Sequence, residues 1–112
     1  MEKTIIAIDP GNIESAFVVM QGIEIIQKGK YDNNKVLNFI YGFYELSGNA
    51  ELYIEMVSSY GMPVGKTVFD TCVWVGRFYE AWVLTHPTGS KHPELIFRKD
   101  VKLHHCNATF AK

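Results

Sequence analysis

An aspartate at the mouth of an apolar run constrains this chain more than any other feature. Residues 4–8, Thr-Ile-Ile-Ala-Ile, are rich in β-branched side chains and read as a strand buried on both faces. Asp9 ends the run, and Pro10-Gly11 turns the chain at once. Proline brings no backbone N–H to a ladder, and glycine permits a positive φ. The carboxylate is thereby left at the strand's end. Taken alone, Asp-Pro-Gly fits a turn aspartate that caps its own backbone equally well. Its meaning depends on what the rest of the chain places beside it.

Residues 15–20 and 23–28 are two more short β-prone runs, set off by glycine-bearing turns. With the first run they predict a three-stranded antiparallel meander. Asp32, Asn33 and Asn34 offer a helix N-cap. From Lys35 onward Val36, Leu37, Ile40, Phe43, Tyr44 and Leu46 keep helical spacing, with Gly48-Asn49 as the stop. A crossover of that length returns the chain to a strand parallel to the first. Residues 51–56 supply that strand, with Glu51, Tyr53 and Glu55 on one face and Leu52, Ile54 and Met56 on the other.

A second helix is predicted from Lys66. Val68, Cys72, Val75, Tyr79 and Trp82 match one buried stripe, and Gly76 leaves room for a close neighbour. His86-Pro87-Thr88-Gly89 ends this helix. A short strand at residues 94–97 follows, and Asp100 is placed to cap a last helix. The order β-β-β-α-β-α-β-α predicts a single α/β domain over residues 1–112. Its mixed five-stranded sheet combines an antiparallel meander with parallel strands and is flanked by helices.

Composition narrows the partners. A chain of 112 residues suits one domain, and seven Phe, six Tyr and two Trp can fill its core without staples. The net charge of −1 gives no global sign of nucleic-acid binding, so any such contact needs a local patch. No apolar stretch approaches the ~20 residues of a membrane span. Cys72 and Cys106 stand in no metal or redox spacing, and the N-terminus lacks a secretory leader's pattern. A cytoplasmic protein with reduced thiols is expected.

If the first and fourth strands pair in parallel, Asp9 and Glu55 become neighbours although 46 positions apart. Two adjacent carboxylates repel unless a proton or a cation lies between them. Magnesium suits that position, because it is a hard cation that takes one or two protein carboxylates together with phosphate oxygens. The implied chemistry is phosphoryl transfer or hydrolysis.

Other motifs carry less. Gly61-Met62-Pro63-Val64-Gly65-Lys66-Thr67 resembles a phosphate-binding loop, but only three residues separate its glycines where four are needed. Lys66 at a helix start still has exposed amides and its own charge to offer a phosphate. His104, His105 and Cys106 lack the spacing of a zinc site. Asp70 reads as a solvated or capping charge.

Ile8-Asp9-Pro10-Gly11 resembles the opening of RuvC-like Holliday junction resolvases of the ribonuclease H-like superfamily, and Ile54-Glu55-Met56 resembles that family's second acidic strand. The stretch from Ile54 through Ser58-Ser59-Tyr60-Gly61-Met62-Pro63 to Val75-Gly76-Arg77-Phe78 is similar to phage and prophage members. Arg98-Lys99-Asp100-Val101-Lys102 and Ala111-Lys112 resemble the family's Val-Lys and Ala-Lys elements.

The resemblance implies a ribonuclease H-like fold and a structure-selective, metal-dependent endodeoxyribonuclease. Asp9 and Glu55 would be its catalytic metal ligands for magnesium, with manganese as the alternative. Lys66, Arg77, Lys99, Lys102 and Lys112 would meet the phosphates of branched DNA, and a homodimer would cut two strands symmetrically. The family's remaining carboxylates come from a further C-terminal helix, and no acid follows Asp100 here. A C-terminally truncated member is therefore expected. The alternatives are a non-catalytic nucleic-acid-binding remnant of the fold and an actin-like nucleotide-binding domain. The second is disfavoured by length, since ATP sits between two such domains.

Overall fold

The computed structural model describes residues 3–43, 49–57, 64–86 and 91–97. Its elements are β1 (Thr4–Asp9), β2 (Glu14–Gln21), β3 (Glu24–Asp32), α1 (Asn33–Gly42), β4 (Ala50–Met56), α2 (Lys66–Thr85) and β5 (Glu94–Phe97). They follow the predicted order through its first seven members. The predicted last helix, with Lys99, Lys102 and Lys112, lies outside the described residues.

The five strands form one sheet in the order β3-β2-β1-β4-β5. β1, β2 and β3 pair antiparallel, whereas β4 runs parallel to β1 and β5 parallel to β4. This is the mixed α/β sheet the sequence predicts. The meander is longer than its apolar runs, because β3 extends through Gln27-Lys28-Gly29-Lys30 to Asp32 by pairing with β2. Cross-strand pairing overrides local propensity there. Ile23, predicted to open the third strand, instead sits in the turn beside Gly22 (φ 60°) and is 98 % exposed.

One face of the sheet carries the core. Ile6 and Ile8 of β1, Phe17 and Val19 of β2, and Leu52 and Ile54 of β4 are buried there. They pack under Val36, Leu37 and Ile40 of α1 and under Val75, Phe78, Ala81 and Trp82 of α2. The alternation predicted for β4 is observed, with Leu52 and Ile54 inward and Glu51, Tyr53 and Glu55 on the other side. β1, however, is not buried on both faces. Its pattern alternates, leaving Ala7 and Asp9 exposed, because both described helices lie on the Ile6–Ile8 side. A run of Ile and Ala carries no polar residue that would mark the second face.

Asp32 caps α1 as predicted, its carboxylate accepting from the Lys35 N–H at 3.0 Å. The helix stops at Gly42, short of the predicted Leu46, because Phe43 turns extended (φ −72°, ψ 130°). Its ring there joins an aromatic row. Phe17 stacks on Phe39, Phe39 meets Phe43, Phe43 lies on Trp82, and Trp82 stacks on His86 with centroids 3.8 Å apart. This row ties β2 through α1 to the end of α2. Trp82 also donates its indole N–H to the Lys91 carbonyl at 3.3 Å, holding the approach to β5.

α2 is rotated relative to its predicted stripe. Thr71, Val75, Phe78, Ala81 and Trp82 face the sheet, while Val68, Cys72 and Tyr79 lie at the flank, half-buried. Thr71 is tolerated inside because its hydroxyl donates to the Thr67 carbonyl at 2.8 Å. Gly76 faces outward, with nothing within 4 Å of where its Cβ would stand. No described neighbour uses its space. No described helix is long and apolar enough to cross a membrane.

The rotation makes a direct forecast. Phe78→Ala removes a side chain of zero exposure and should destabilise the fold by about 3–5 kcal/mol. Tyr79→Ala, on the flank, should cost clearly less. Urea unfolding of the two variants checks this, and an equal or reversed order would contradict the observed helix face.

Candidate functional site

The parallel pairing of β1 and β4 sets Ile8 opposite Ile54. Asp9 and Glu55 each follow by one residue, on the face away from the helices. Adjacent strands lie about 4.8 Å apart, so the two carboxylates project side by side. Both line a cleft of about 310 Å³, together with Ala7, Val18, Tyr53 and Ile96. The structure therefore brings together the two acids singled out in the sequence.

The turn that follows Asp9 is lashed down by a small polar network. The Gly11 N–H donates to the Ser15 hydroxyl at 3.1 Å, and that hydroxyl donates to Asn33 Oδ1 at 2.5 Å. The Asn33 amide returns a bond to the Gly11 carbonyl at 2.9 Å, and the Asn33 N–H donates to the Ile13 carbonyl at 2.9 Å. Ser15 and Asn33 are buried, so their side chains have exchanged water for these partners. The first residue of α1 thus holds the loop that ends β1. Gly11 does not have the positive φ its sequence context suggested; among the described residues Gly22 is the positive-φ glycine. Glycine is required at position 11 for close approach instead, since a Cβ there would run into the Glu14 carbonyl oxygen.

Sequence reasoning overlooked Ser15 and Asn33. Asn33 had a signal, standing within the cap segment 32–34, but a capping role explained it fully. Ser15 looked like an ordinary strand residue. Only the fold shows that both close on Gly11.

A second charged group occupies the same open face at the other end of β4. Glu51 meets Lys3 at 2.9 Å and Lys91 at 3.6 Å, and accepts from the Tyr53 hydroxyl at 2.6 Å. Lys91 also meets Glu94 at 3.1 Å. The Tyr53 hydrogen bond, with help from Lys3, holds the Glu51 carboxyl below the usual range, and the same bond raises the Tyr53 phenol. Lys91 is pushed up to about 12, chiefly by its bond to Glu94. These partners hold Tyr53 where it lines the cleft.

The predicted cations fall into different places. Lys66 opens α2 and pairs with Asp70 at 2.7 Å, an ion pair the sequence reading of Asp70 as a solvated or capping charge did not include. Arg77 lies three turns further along, its guanidinium 4.2 Å from the Trp74 ring centroid. α2 packs against the face opposite the cleft, so Arg77 and the acid pair are on opposite sides of the sheet. Lys99, Lys102 and Lys112 lie outside the described residues, as do residues 58–63 of the glycine-rich loop and His104, His105 and Cys106. Among the described residues, no group of three His, Cys, Asp or Glu side chains is arranged to hold a metal ion.

The network predicts its own test. Asn33→Ala leaves the Ser15 hydroxyl and the Gly11 carbonyl without the side-chain amide that meets them, while the backbone bond to Ile13 remains, and should destabilise the protein by about 1–3 kcal/mol. Hydrogen exchange at residues 10–14 should rise with it. Unchanged exchange there would mean that the network does not hold the turn.

Neither a scan against models of protein families nor a search of curated proteins returned a match to this chain.

Proposed function

We propose that this chain is the acid-bearing sheet of a metal-dependent, structure-selective DNA endonuclease of the RuvC-like, ribonuclease H-like type. The observation that carries the reading is the adjacency of Asp9 and Glu55 at the ends of two parallel strands, on the face that the described helices leave open. Strand ends in parallel α/β sheets are where such folds gather their chemistry. The mixed sheet order, with an antiparallel meander beside parallel strands, is compatible with that architecture.

The two carboxylates offer hard oxygen donors, and the donor set fits magnesium, with manganese as a substitute. Such an ion supplies Lewis-acid stabilisation of a phosphodiester and a water of lowered pKa. The chain's own part is positional. The Gly11–Ser15–Asn33 network fixes where Asp9 ends its strand, and the β1–β4 ladder fixes Glu55 beside it, so the donors need little reorganisation on loading. Lys66 at the start of α2, together with Lys99, Lys102 and Lys112, supplies cations for backbone phosphates. Those contacts position branched DNA without reading its sequence. Symmetric cutting of two related strands calls for two copies of the chain.

The test is cleavage of a synthetic four-way junction in magnesium. A protein carrying the family's C-terminal carboxylates as well should nick it, and Asp9→Asn or Glu55→Gln should each lower the rate by about 100-fold or more, as loss of a charge-stabilising group does. Junction binding without cutting would move the assignment to a non-catalytic DNA-binding protein of the same architecture. Cutting that survives Asp9→Asn unchanged would overturn the acid-pair mechanism.

A further inference from the structure

We propose that Lys28 and Lys30 of β3 form a phosphate-binding track that leads a DNA strand across the open face of the sheet to Asp9 and Glu55. The register places them. Lys30 pairs with Ala16, and Ala16 pairs with Asp9. Lys28 pairs with Val18, and Val18 pairs with Ala7. Directly paired residues share a face of the sheet, and Ala7, Asp9, Ala16 and Val18 all line the cleft. Both lysines therefore stand on the acid pair's side of the sheet. β3 lies two strand spacings, about 10 Å, from β1.

The surface in between suits a strand laid flat on the sheet. In the row that joins Lys30 to Asp9, the intervening side chain is the single methyl of Ala16. Lys28 and Lys30 are exposed, and neither is among the ion pairs of the described residues. The other edge of the same face differs, because Lys3 and Lys91 there are taken up by Glu51 and Glu94. The row beyond Lys30 pairs Glu14 with Asp32, which bounds the track on that side.

Charge identifies the occupant. A phosphate approaching Asp9 and Glu55 meets two negative charges, so the strand that carries it needs cations outside the metal site. With a net charge of −1, the chain can supply them only as a local patch. Arg77 cannot serve, since it stands on the opposite side of the sheet, and Lys66 is paired with Asp70. Lys28 and Lys30 carry point charges on flexible stems and meet a backbone phosphate without reading a base. Lysines on an edge strand also discourage sheets from pairing edge to edge. That role needs no DNA, and it leaves DNA affinity untouched when the charges are removed. The proposal rests on the DNA reading above and adds the direction of approach, over β3 and β2 instead of over β5.

Fluorescence anisotropy of a labelled four-way junction titrated with the full chain in EDTA tests the track, because binding is then read without cutting. Lys28→Gln and Lys30→Gln should each weaken binding about threefold at low salt, and the two together about tenfold. Each should also reduce the slope of log affinity against log salt by about 1. Both variants alter exposed side chains and should leave the circular dichroism spectrum unchanged. Lys28→Arg with Lys30→Arg keeps the charges and should retain the wild-type slope, as should Arg77→Gln on the far side of the sheet. Wild-type affinity and slope in the doubly substituted Lys28→Gln, Lys30→Gln protein overturn the proposal. So does a wild-type chain that binds no junction at about 50 mM salt, or a slope that falls with Arg77→Gln and not with the lysine variants. The acid pair is scored separately by cutting, so cleavage that survives Asp9→Asn fails that mechanism and leaves the track standing.

Discussion

The parallel pairing of β1 with β4 is the constraint on which the rest of this molecule depends. It begins where the Thr4 N–H donates to the Asn49 carbonyl at 2.9 Å and runs to the Ile8–Ile54 pair. That ladder fixes which residues face the helices. It places Ile6, Ile8, Leu52 and Ile54 on one side as a single apolar floor for α1 and α2. By the same alternation it places Asp9 and Glu55 together on the other side. A slip of one residue in either strand would turn that strand's carboxylate toward the core and its buried apolar residues outward. Stability and site geometry therefore follow from one register.

The two faces then have different work. The covered face is closed by aromatic packing that runs from Phe17 through Phe39 and Phe43 to Trp82 and His86. The opposite face carries charged groups at both ends of β4, with the cleft at the Asp9–Glu55 end. One end is neutralised internally, with Glu51, Lys3, Lys91, Glu94 and Tyr53 satisfying one another. The other end concentrates two hard oxygen donors beside a turn held by buried hydrogen bonds.

Much of this was legible in the sequence where polar and apolar residues alternate without ambiguity. Glu51-Leu52-Tyr53-Ile54-Glu55-Met56 declares both its faces, and with the crossover length it places Glu55 next to Asp9. The legibility fails where one type of residue fills both faces. Residues 4–8 are apolar throughout, so their exposed side was invisible. α2 carries apolar residues around most of its circumference, and a stripe one position away, through Tyr79 instead of Phe78, fitted the spacing equally well. Ser15 and Asn33 were hidden for a different reason. Each had a sufficient local explanation, and their shared partner Gly11 is brought to them only by the fold. Their role in holding the turn is tertiary information.

The central claim is that Asp9 and Glu55 form a cation site on the open face. Amide NMR spectra recorded as manganese is added test it most directly, because the ion's paramagnetism broadens resonances near it. The account predicts broadening centred on the carboxyl ends of β1 and β4, displaced by magnesium and absent in Asp9→Asn. Broadening elsewhere on the molecule, or an unchanged pattern in Asp9→Asn, would contradict it.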